Sequence, residues 1–479
     1  MTIPYSFDRD TTTAEIVERF GSIEPGHETG VTVSVAGRVM LLRTQGKLAF
    51  AELRDSSGAI QLFALKAVTT DFDGLAALKL GDWIGATGEV VATRRGELSV
   101  KVDTWVLLAD ARRGFGDKFH GVTDTETRYR QREVDLWANE ESRERLTRRS
   151  LVVRRMRERL WDQGFLEVET PILNPIAGGA TAKPFVTHHN ALDADFYLRV
   201  APELYLKRLV VGGFERVFEL GRLFRNEGIS PRHNPEFTTV EAYAAYMDCY
   251  GMMDLVENLV AGVVEDATGS TTLTYQGITI EMGAPWRRAS MAELTSAEVG
   301  QDVSVHTEQG VLRGLLAEAG VHEVNESWGS GRLLAELFEE TAESKLIQPT
   351  FVIDHPAEVS PLARRHRDDP DLVERFEVFV AGRELINGFS ELQDPDDQRQ
   401  RFEEQARAHE AGDDEAMLID HEYLRALEHG LPPTAGVGIG IDRLAMLVTD
   451  AANIREVIAF PTLKPLSGTG SRAEGSAPE

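Results

Sequence analysis

Residues 216–246, RVFELGRLFRNEGISPRHNPEFTTVEAYAAY, decide how this chain folds. Two apolar-rich runs, Arg216–Phe224 and Phe237–Tyr246, enclose a polar loop that holds Arg225, Glu227, Gly228, Pro231, Arg232, His233 and Glu236. Run, turn and run predict an antiparallel hairpin. In the second run a period of two puts Phe237, Thr239, Glu241, Tyr243 and Ala245 on one face. A carboxylate among apolar and small residues is costly to bury without a partner. Glu241 therefore either points to water from an edge strand, or its face lines a site for something cationic. The loop favours the second reading. Arg225 closes the first strand and Phe237 opens the second, so a guanidinium and a ring bracket one concavity. A planar guanidinium donates two parallel hydrogen bonds to phosphate, and a ring beside it can stack on a purine.

Two further stretches complete a pattern. GFLEVETPIL (164–173) predicts a strand stopped by Pro171. In GVGIGIDRLAMLVTD (436–450), Gly436, Gly438 and Gly440 recur every second residue and leave one strand face bare for a flat ligand. Arg443 follows at the start of an apolar helix, where the dipole also favours anions. The spacing GxGxG, then Arg, excludes a dinucleotide fingerprint, which is GxGxxG opening a helix. FRNEGISPRHNPEF resembles motif 2 of the class II aminoacyl-tRNA synthetases, in the wording of the lysyl enzymes. GFLEVETPIL is similar to their motif 1 and GVGIGIDRLAMLVTD to their motif 3. The resemblance to the bacterial lysyl-tRNA synthetases runs from about Val33 to Pro465, with the motifs in order.

The resemblance implies an α+β protein, an OB-fold β-barrel followed by a class II catalytic domain on an antiparallel sheet flanked by helices. It implies ligation of L-lysine to tRNA(Lys) through a lysyl-adenylate, with ATP as co-substrate, Mg²⁺ as cofactor, and a homodimer built on motif 1. Arg225 and Arg443 would be catalytic, holding the ATP α- and γ-phosphates. Glu227 and His233 would help to place the nucleotide, and Phe237 would stack on adenine. Glu377 and Glu384 would bind Mg²⁺, with Glu384 also facing ATP. Gly179, Glu203, Glu241, Tyr243, Asn387, Phe389 and Glu391 would contact lysine, and Arg43, Phe50, Gln61 and Glu97 in the barrel would read the anticodon. The residues agree with the amino acid implied. Lysine carries two ammonium groups, so its pocket needs several carboxylates, and Glu203, Glu241 and Glu391 supply them. Aspartyl or asparaginyl relatives would need a cationic or amide-reading group there. One departure is RQREVDL, where the family has an aromatic in place of Glu133.

The remaining chain is consistent with this organisation. Length allows about three domains. Residues 1–29 predict a polar extension, and 30–110 five short strands with Gly46, Gly58, Gly81 and Gly96 at the breaks, as in an OB-fold. Taken alone, Phe50 suits a barrel core better than a stacking platform. Residues 111–150 predict a linker containing Gly114, Gly116 and Gly121, and 151–465 the catalytic domain, with a mainly helical insertion near 250–345 that carries no evident chemistry. Within the insertion, residues 331–345 have the apolar spacing of an amphipathic helix. In 373–394, alternation places Asn387, Phe389 and Glu391 on one face and Glu384 on the other, so one cleft holds all four only if the strand twists or bulges. Residues 466–479 are Gly/Ser-rich and predict a disordered tail.

Composition narrows the class. Lys and Arg total 51 against 78 Asp and Glu, a net charge of −27, whereas nucleic-acid binders are usually basic at their contact surface. Net charge is a bulk property, and a local stripe can still steer RNA. The most basic stretch, residues 128–160, holds eleven Arg and six acids and reads mostly as a helix with solvated charges. Cys249 is the only cysteine, which excludes intramolecular disulfides and suits the cytoplasm. No apolar run is long enough to span a membrane, no secretion signal is visible, and the N-terminus lacks a basic RNA-binding helix. Two alternatives stand beside tRNA charging: a paralogue that lysylates a protein or metabolite, and a non-catalytic RNA-binding or regulatory descendant. The first would lack the barrel and the second a motif arginine.

Overall fold

The computed structural model describes residues 3–113, 122–410 and 416–466. Gly114, Gly116 and Gly121 of the expected linker, and the expected tail beyond Leu466, lie outside them. The chain divides into two compact units, 1–125 and 126–479.

In the first unit, helix α1 (Thr13–Phe20) precedes β1 (Glu28–Gln45), β2 (Leu48–Arg54) and β3 (Ala59–Leu65); helix α2 (Phe72–Ala76), β4 (Trp83–Ala92) and β5 (Leu98–Ala109) follow. The strands close into a barrel in the order β1-β2-β3-β5-β4. Period-two alternation sets the two faces: in β2, Ala49, Ala51 and Leu53 are buried while Leu48, Phe50, Glu52 and Arg54 are half-exposed. The expected extension is partly built in. Thr12 and Glu15 form a capping box on α1, and Ile16 enters the barrel core.

The second unit begins well before residue 151. Residues 125–162 form α3 (Thr125–Arg130), α4 (Arg132–Ala138) and α5 (Glu140–Asp162), so most of the expected linker is helical, and its arginines are not mainly solvated. Arg132 is 1% exposed. It pairs with Asp135 at 2.9 Å and donates to the carbonyls of Ala459 (2.9 Å) and Ile458 (3.0 Å). Arg149 pairs with Asp442 at 2.7 Å, tying α5 to the start of the last helix. A buried guanidinium is tolerable only when its donors are used, and here they staple sequence-distant segments together. Glu133, the departure noted above, is exposed on α4.

An eight-stranded sheet organises this unit. The small strands β6 (Leu166–Glu167), β7 (Leu173–Asn174), β8 (Val186–His189) and β9 (Ala194–Leu198) lead to α6 (Glu203–Val211), then to the hairpin β10 (Arg216–Phe224) and β11 (Glu236–Ala245). The single strand expected over 164–173 is thus two short ones separated at Pro171. After α7 (Cys249–Thr268) come β12 (Thr272–Tyr275), β13 (Ile278–Glu281), β14 (Arg287–Ser290), α8 (Met291–Val299), α9 (Gln309–Glu318) and α10 (Ser330–Thr341). The C-terminal part adds β15 (Thr350–Pro356), β16 (Leu372–Phe379), β17 (Glu384–Ser390), α11 (Pro395–Glu410), α12 (His421–Glu428), β18 (Thr434–Gly440) and α13 (Ile441–Val448). The sheet order is β14-β15-β16-β17-β18-β11-β10-β6, antiparallel except for parallel pairs at its two edges. One face carries Phe218, Val240, Ala242, Val437, Ile439, Ile386 and Phe376 against Met252, Val256 and Val260 of α7. Helix α7 therefore belongs to the main core rather than to an insertion. The insertion proper is mixed, since β14 extends the sheet; α10 buries Leu333, Leu334, Leu337 and Phe338.

Replacing Arg132 by Met would leave Asp135 and the carbonyls of Arg455, Ile458 and Ala459 short of a donor. We expect a loss of about 3–5 kcal/mol of stability, read as a lower denaturation midpoint, whereas Glu133→Ala should lie within about 0.5 kcal/mol of the parent.

Candidate active site

The other face of the sheet is a cleft of about 1090 Å³. Its floor follows from register. On one side of β18, Glu241 stands opposite Gly438 and Tyr243 opposite Gly436. On the other, Asn387 pairs with Gly438 and Phe389 with Gly436. Two ridges of functional side chains thus flank a strand stripped of its own. The bare face is not all open to a ligand, however. A Cβ at Gly436 would overlap Glu391 Oε1 and the Tyr243 ring, while one at Gly438 would make only ordinary contacts, with Glu241 Cγ at 3.7 Å and the Asn387 carbonyl oxygen at 3.9 Å.

The parity conflict in β17 is resolved by a bulge. Val378 pairs with Ile386, but Phe379 pairs with Glu384, leaving Leu385 as an extra residue. One inserted residue flips side-chain parity, so Glu384 and Asn387 both line the cleft. Gly179, Glu203, Arg225, Glu227, His233, Phe237, Glu241, Tyr243, Glu377, Phe389 and Arg443 line it too. Glu391 does not: it is 1% exposed and ion-paired with Lys207 behind the wall.

Cations and carboxylates are sorted along the cleft. Arg225 lies with its guanidinium carbon 5.2 Å above the Phe237 ring centroid, and its buried Nε has no hydrogen-bond partner among the described residues. Arg443 pairs with Glu384 at 3.0 Å and lies 3.4 Å from His233 Nε2. Burial, then Arg443 and Arg232, lower the His233 imidazole below its usual range, keeping it neutral at pH 7. Burial raises Glu377 to about 7, opposed by Arg375 and reinforced by Glu384. At the more open Glu384, Arg443 and Arg375 outweigh desolvation and hold the carboxyl below the ordinary carboxylate range. Deeper in, the Tyr243 hydroxyl donates to Glu241 at 3.0 Å. Burial nonetheless pushes Glu241 up to about 8, with the charge of Glu203 adding to it. Burial likewise raises Glu203 and takes Glu391 to about 8, in both cases against the pull of Lys207.

Four cleft residues, Asn325, Ser327, Trp328 and Arg332, come from the insertion expected to carry no chemistry. Their role was illegible because nothing in the local pattern says which loop folds over the sheet. Lys207 was missed as well, although a lysine inside the apolar helix ELYLKRLVV is itself a signal.

In the barrel, Arg43 and Phe50 are cross-strand partners on β1 and β2. The Phe50 ring stacks on Phe63 at 5.1 Å and 14°, on the outer face, so Phe50 is not a core residue. Gln61 donates to Ser99 at 2.8 Å, and Glu97 is exposed beside the start of β5. Phe63 was missed too, although alternation from Gln61 would have placed it on this face.

A family model for class II tRNA synthetases (D, K and N) matches residues 124–464. The chain belongs to that family. A model for the OB-fold nucleic acid binding domain matches residues 33–108. Curated relatives include a lysine–tRNA ligase of Prochlorococcus marinus, 52% identical over 96% of this chain and 94% of that protein. One from Magnetococcus marinus is 52% identical over 96% and 93%, and one from Gloeobacter violaceus 51% identical over 97% and 95%. The fold and family expected from the motifs therefore hold.

The two floor glycines should behave differently in this synthetase. Gly436→Ala should cost about 1–3 kcal/mol of stability by overpacking. Gly438→Ala should stay within about 1 kcal/mol of the parent yet lose on the order of ten- to hundredfold in activity, because its methyl enters the cleft. Denaturation and steady-state rates separate the two.

Proposed function

We propose that the chain is a lysine–tRNA ligase that makes lysyl-adenylate from L-lysine and ATP and transfers the lysyl group to the 3′ end of tRNA(Lys). The observation that carries this reading is one cleft holding Glu203 and Glu241, with Glu391 behind them, beside Arg225, whose buried Nε has no hydrogen-bond partner among the described residues. Ammonium-binding and phosphate-binding chemistry thereby adjoin. Adenylation is in-line attack of the amino-acid carboxylate on the α-phosphorus with loss of pyrophosphate, a step that needs positioning and positive charge. Arg225 takes the α-phosphate and stabilises the charge of the transition state. Arg443 takes the γ-phosphate, and Phe237 offers the adenine an aromatic surface, helped by Glu227 and neutral His233. Gly179, Glu203, Glu241, Tyr243, Asn387 and Phe389 contact the lysine, and Glu391 lends its charge from behind the wall.

Glu377 and Glu384 suit Mg²⁺: both offer hard oxygen donors, and the burial and mutual repulsion of the pair are relieved by a cation. When bound, Mg²⁺ neutralises phosphate oxygens. Homodimerisation is supported by the exposed Trp161 at the end of α5, Leu166 on β6, and Ile172 and Leu173 just before and at the start of β7. No helix among the described residues is long and apolar enough to cross a membrane, and we place the enzyme in the cytoplasm, with the tRNA it charges.

Lysine-dependent ATP–pyrophosphate exchange tests the reading, and faster exchange with aspartate or asparagine would sink it. Glu241 must be ionised to hold an ammonium, and its carboxyl sits near 8. KM for lysine should therefore fall as pH rises from about 6.5 to about 8.5, then climb above about pH 10 as the substrate's own ammonium titrates. A flat profile would remove Glu241 from the pocket. Phe50→Ala should leave exchange intact while tRNA charging drops about tenfold or more, since one stacked base is worth about 1–3 kcal/mol. Equal losses in both assays would instead make Phe50 structural.

A further inference from the structure

Lys207 is 0% exposed. Its Nζ lies 2.6 Å from Glu203 Oε1, one helical turn earlier on α6, and also on the carboxylate of Glu391. The rings of Phe389 and Tyr423 flank it at 5.5 and 5.6 Å. Glu203 and Phe389 line the cleft, but Lys207 and Tyr423 do not, so the ammonium sits directly behind the wall. Burying an ammonium against two carboxylates seldom stabilises a protein relative to apolar packing, which leaves its presence here to be explained. The charge count suggests why. Glu203, Glu241 and Glu391 bring three potential negative charges, and Lys207 offsets one. Two remain, matching the two ammonium groups of a diamino acid.

We propose that Lys207 is a positioning residue for substrate selectivity, a built-in ammonium that clamps Glu203 and Glu391 and sets the pocket's charge to that of a diamino acid. This deepens the lysine reading above and rests on it. Several titratable and charged groups act on this cluster. They are Glu203 on α6, Glu241 and Tyr243 on β11, Glu391 after β17, Tyr423 on α12 and Arg375 on β16, with Arg225 and Arg199 acting on Glu241. Burial alone would lower the Lys207 ammonium, but Glu203 and Glu391 outweigh it and hold it charged. Without Lys207 the carboxylates would repel one another and retain protons to higher pH, so a diamino acid would have to displace those protons to bind.

The test uses the full-length enzyme and lysine-dependent pyrophosphate exchange, with KM for lysine and for ATP measured across pH. Lys207→Met should raise KM for lysine at least about thirtyfold, leave KM for ATP within about threefold, and move the alkaline improvement in lysine KM to higher pH. Lys207→Met/Glu391→Gln removes one charge of each sign and restores the count of two, so it should recover much of the lysine KM lost in Lys207→Met. A merely structural lysine predicts the reverse: equal losses for both substrates, an unmoved pH profile, and a double variant no better than the single. Any of those results overturns the proposal. If Lys207→Met does not fold, the double variant decides alone, by comparison with Glu391→Gln. The proposal then requires the double variant to bind lysine more tightly than Glu391→Gln, whose pocket keeps one charge too few. A parent enzyme that shows no lysine-dependent exchange would instead refute the ligase reading, a result distinguishable before any variant is made.

Discussion

A carboxylate is expensive to bury in its ionised form, and the catalytic half of this chain buries Glu203, Glu241 and Glu391 beside one cleft. The burial is made possible by strand register. Glycines of β18 stand opposite Glu241 and Asn387, and again opposite Tyr243 and Phe389, so the carboxylates and rings gain space without breaking the backbone ladder. The opposite face of the same strands is continuous apolar core against α7. A slip of one residue would exchange the two faces, placing Glu241 in the core and Val240 in the cleft. Packing energy on one side thus fixes the chemistry on the other.

The hairpin 216–246 was legible because its period-two pattern, its turn and its odd carboxylate all pointed one way. Phe237, Thr239, Glu241 and Tyr243 line the cleft, on the face where alternation put them. Asn387 and Glu384 were legible as a contradiction: sequence parity separated them, and a single extra residue, Leu385, reunites them. What stayed hidden depended on partners far along the chain. The buried arginines of 128–160 looked solvated because their acceptors, such as the Ala459 and Ile458 carbonyls, lie more than 300 residues away. Trp328 and Arg332 reach the cleft only because the insertion folds back over it. Glu391 had the right parity but not the right depth, since its strand ends at Ser390 and its carboxylate turns to Lys207.

With a net charge of −27, RNA binding must rest on local surfaces, and the basic stretch is not one of them. Many arginines of the basic stretch are consumed internally by Asp135, Asp442 and Glu456, so they contribute little field to the surface. On the barrel the outer face offers a stacked pair of rings with Arg43 alongside. Stacked rings beside a cation are the combination by which single-stranded bases are held in other OB-folds. The barrel core is independent of that face: Ala49, Ala51 and Leu53 maintain the closed sheet while Phe50 remains free to serve a ligand.

Selectivity among amino acids then rests on charge count more than on length. A missing methylene in a pocket changes discrimination by only about 1–3 kcal/mol, so ornithine is a near neighbour of lysine for any cleft of this kind. Leucine and methionine are of similar length but bring no side-chain ammonium, and their entry would leave a buried carboxylate unpaired, a cost of about 2–5 kcal/mol. That penalty depends on the carboxylates remaining ionised and fixed when a neutral side chain arrives. Tyr243 holds Glu241 by a hydrogen bond, and Lys207 holds Glu203 and Glu391 by ion pairs, so none can easily swing toward water to escape the mismatch. Rejection of neutral amino acids is therefore a property of the groups behind the pocket wall as much as of those facing the substrate.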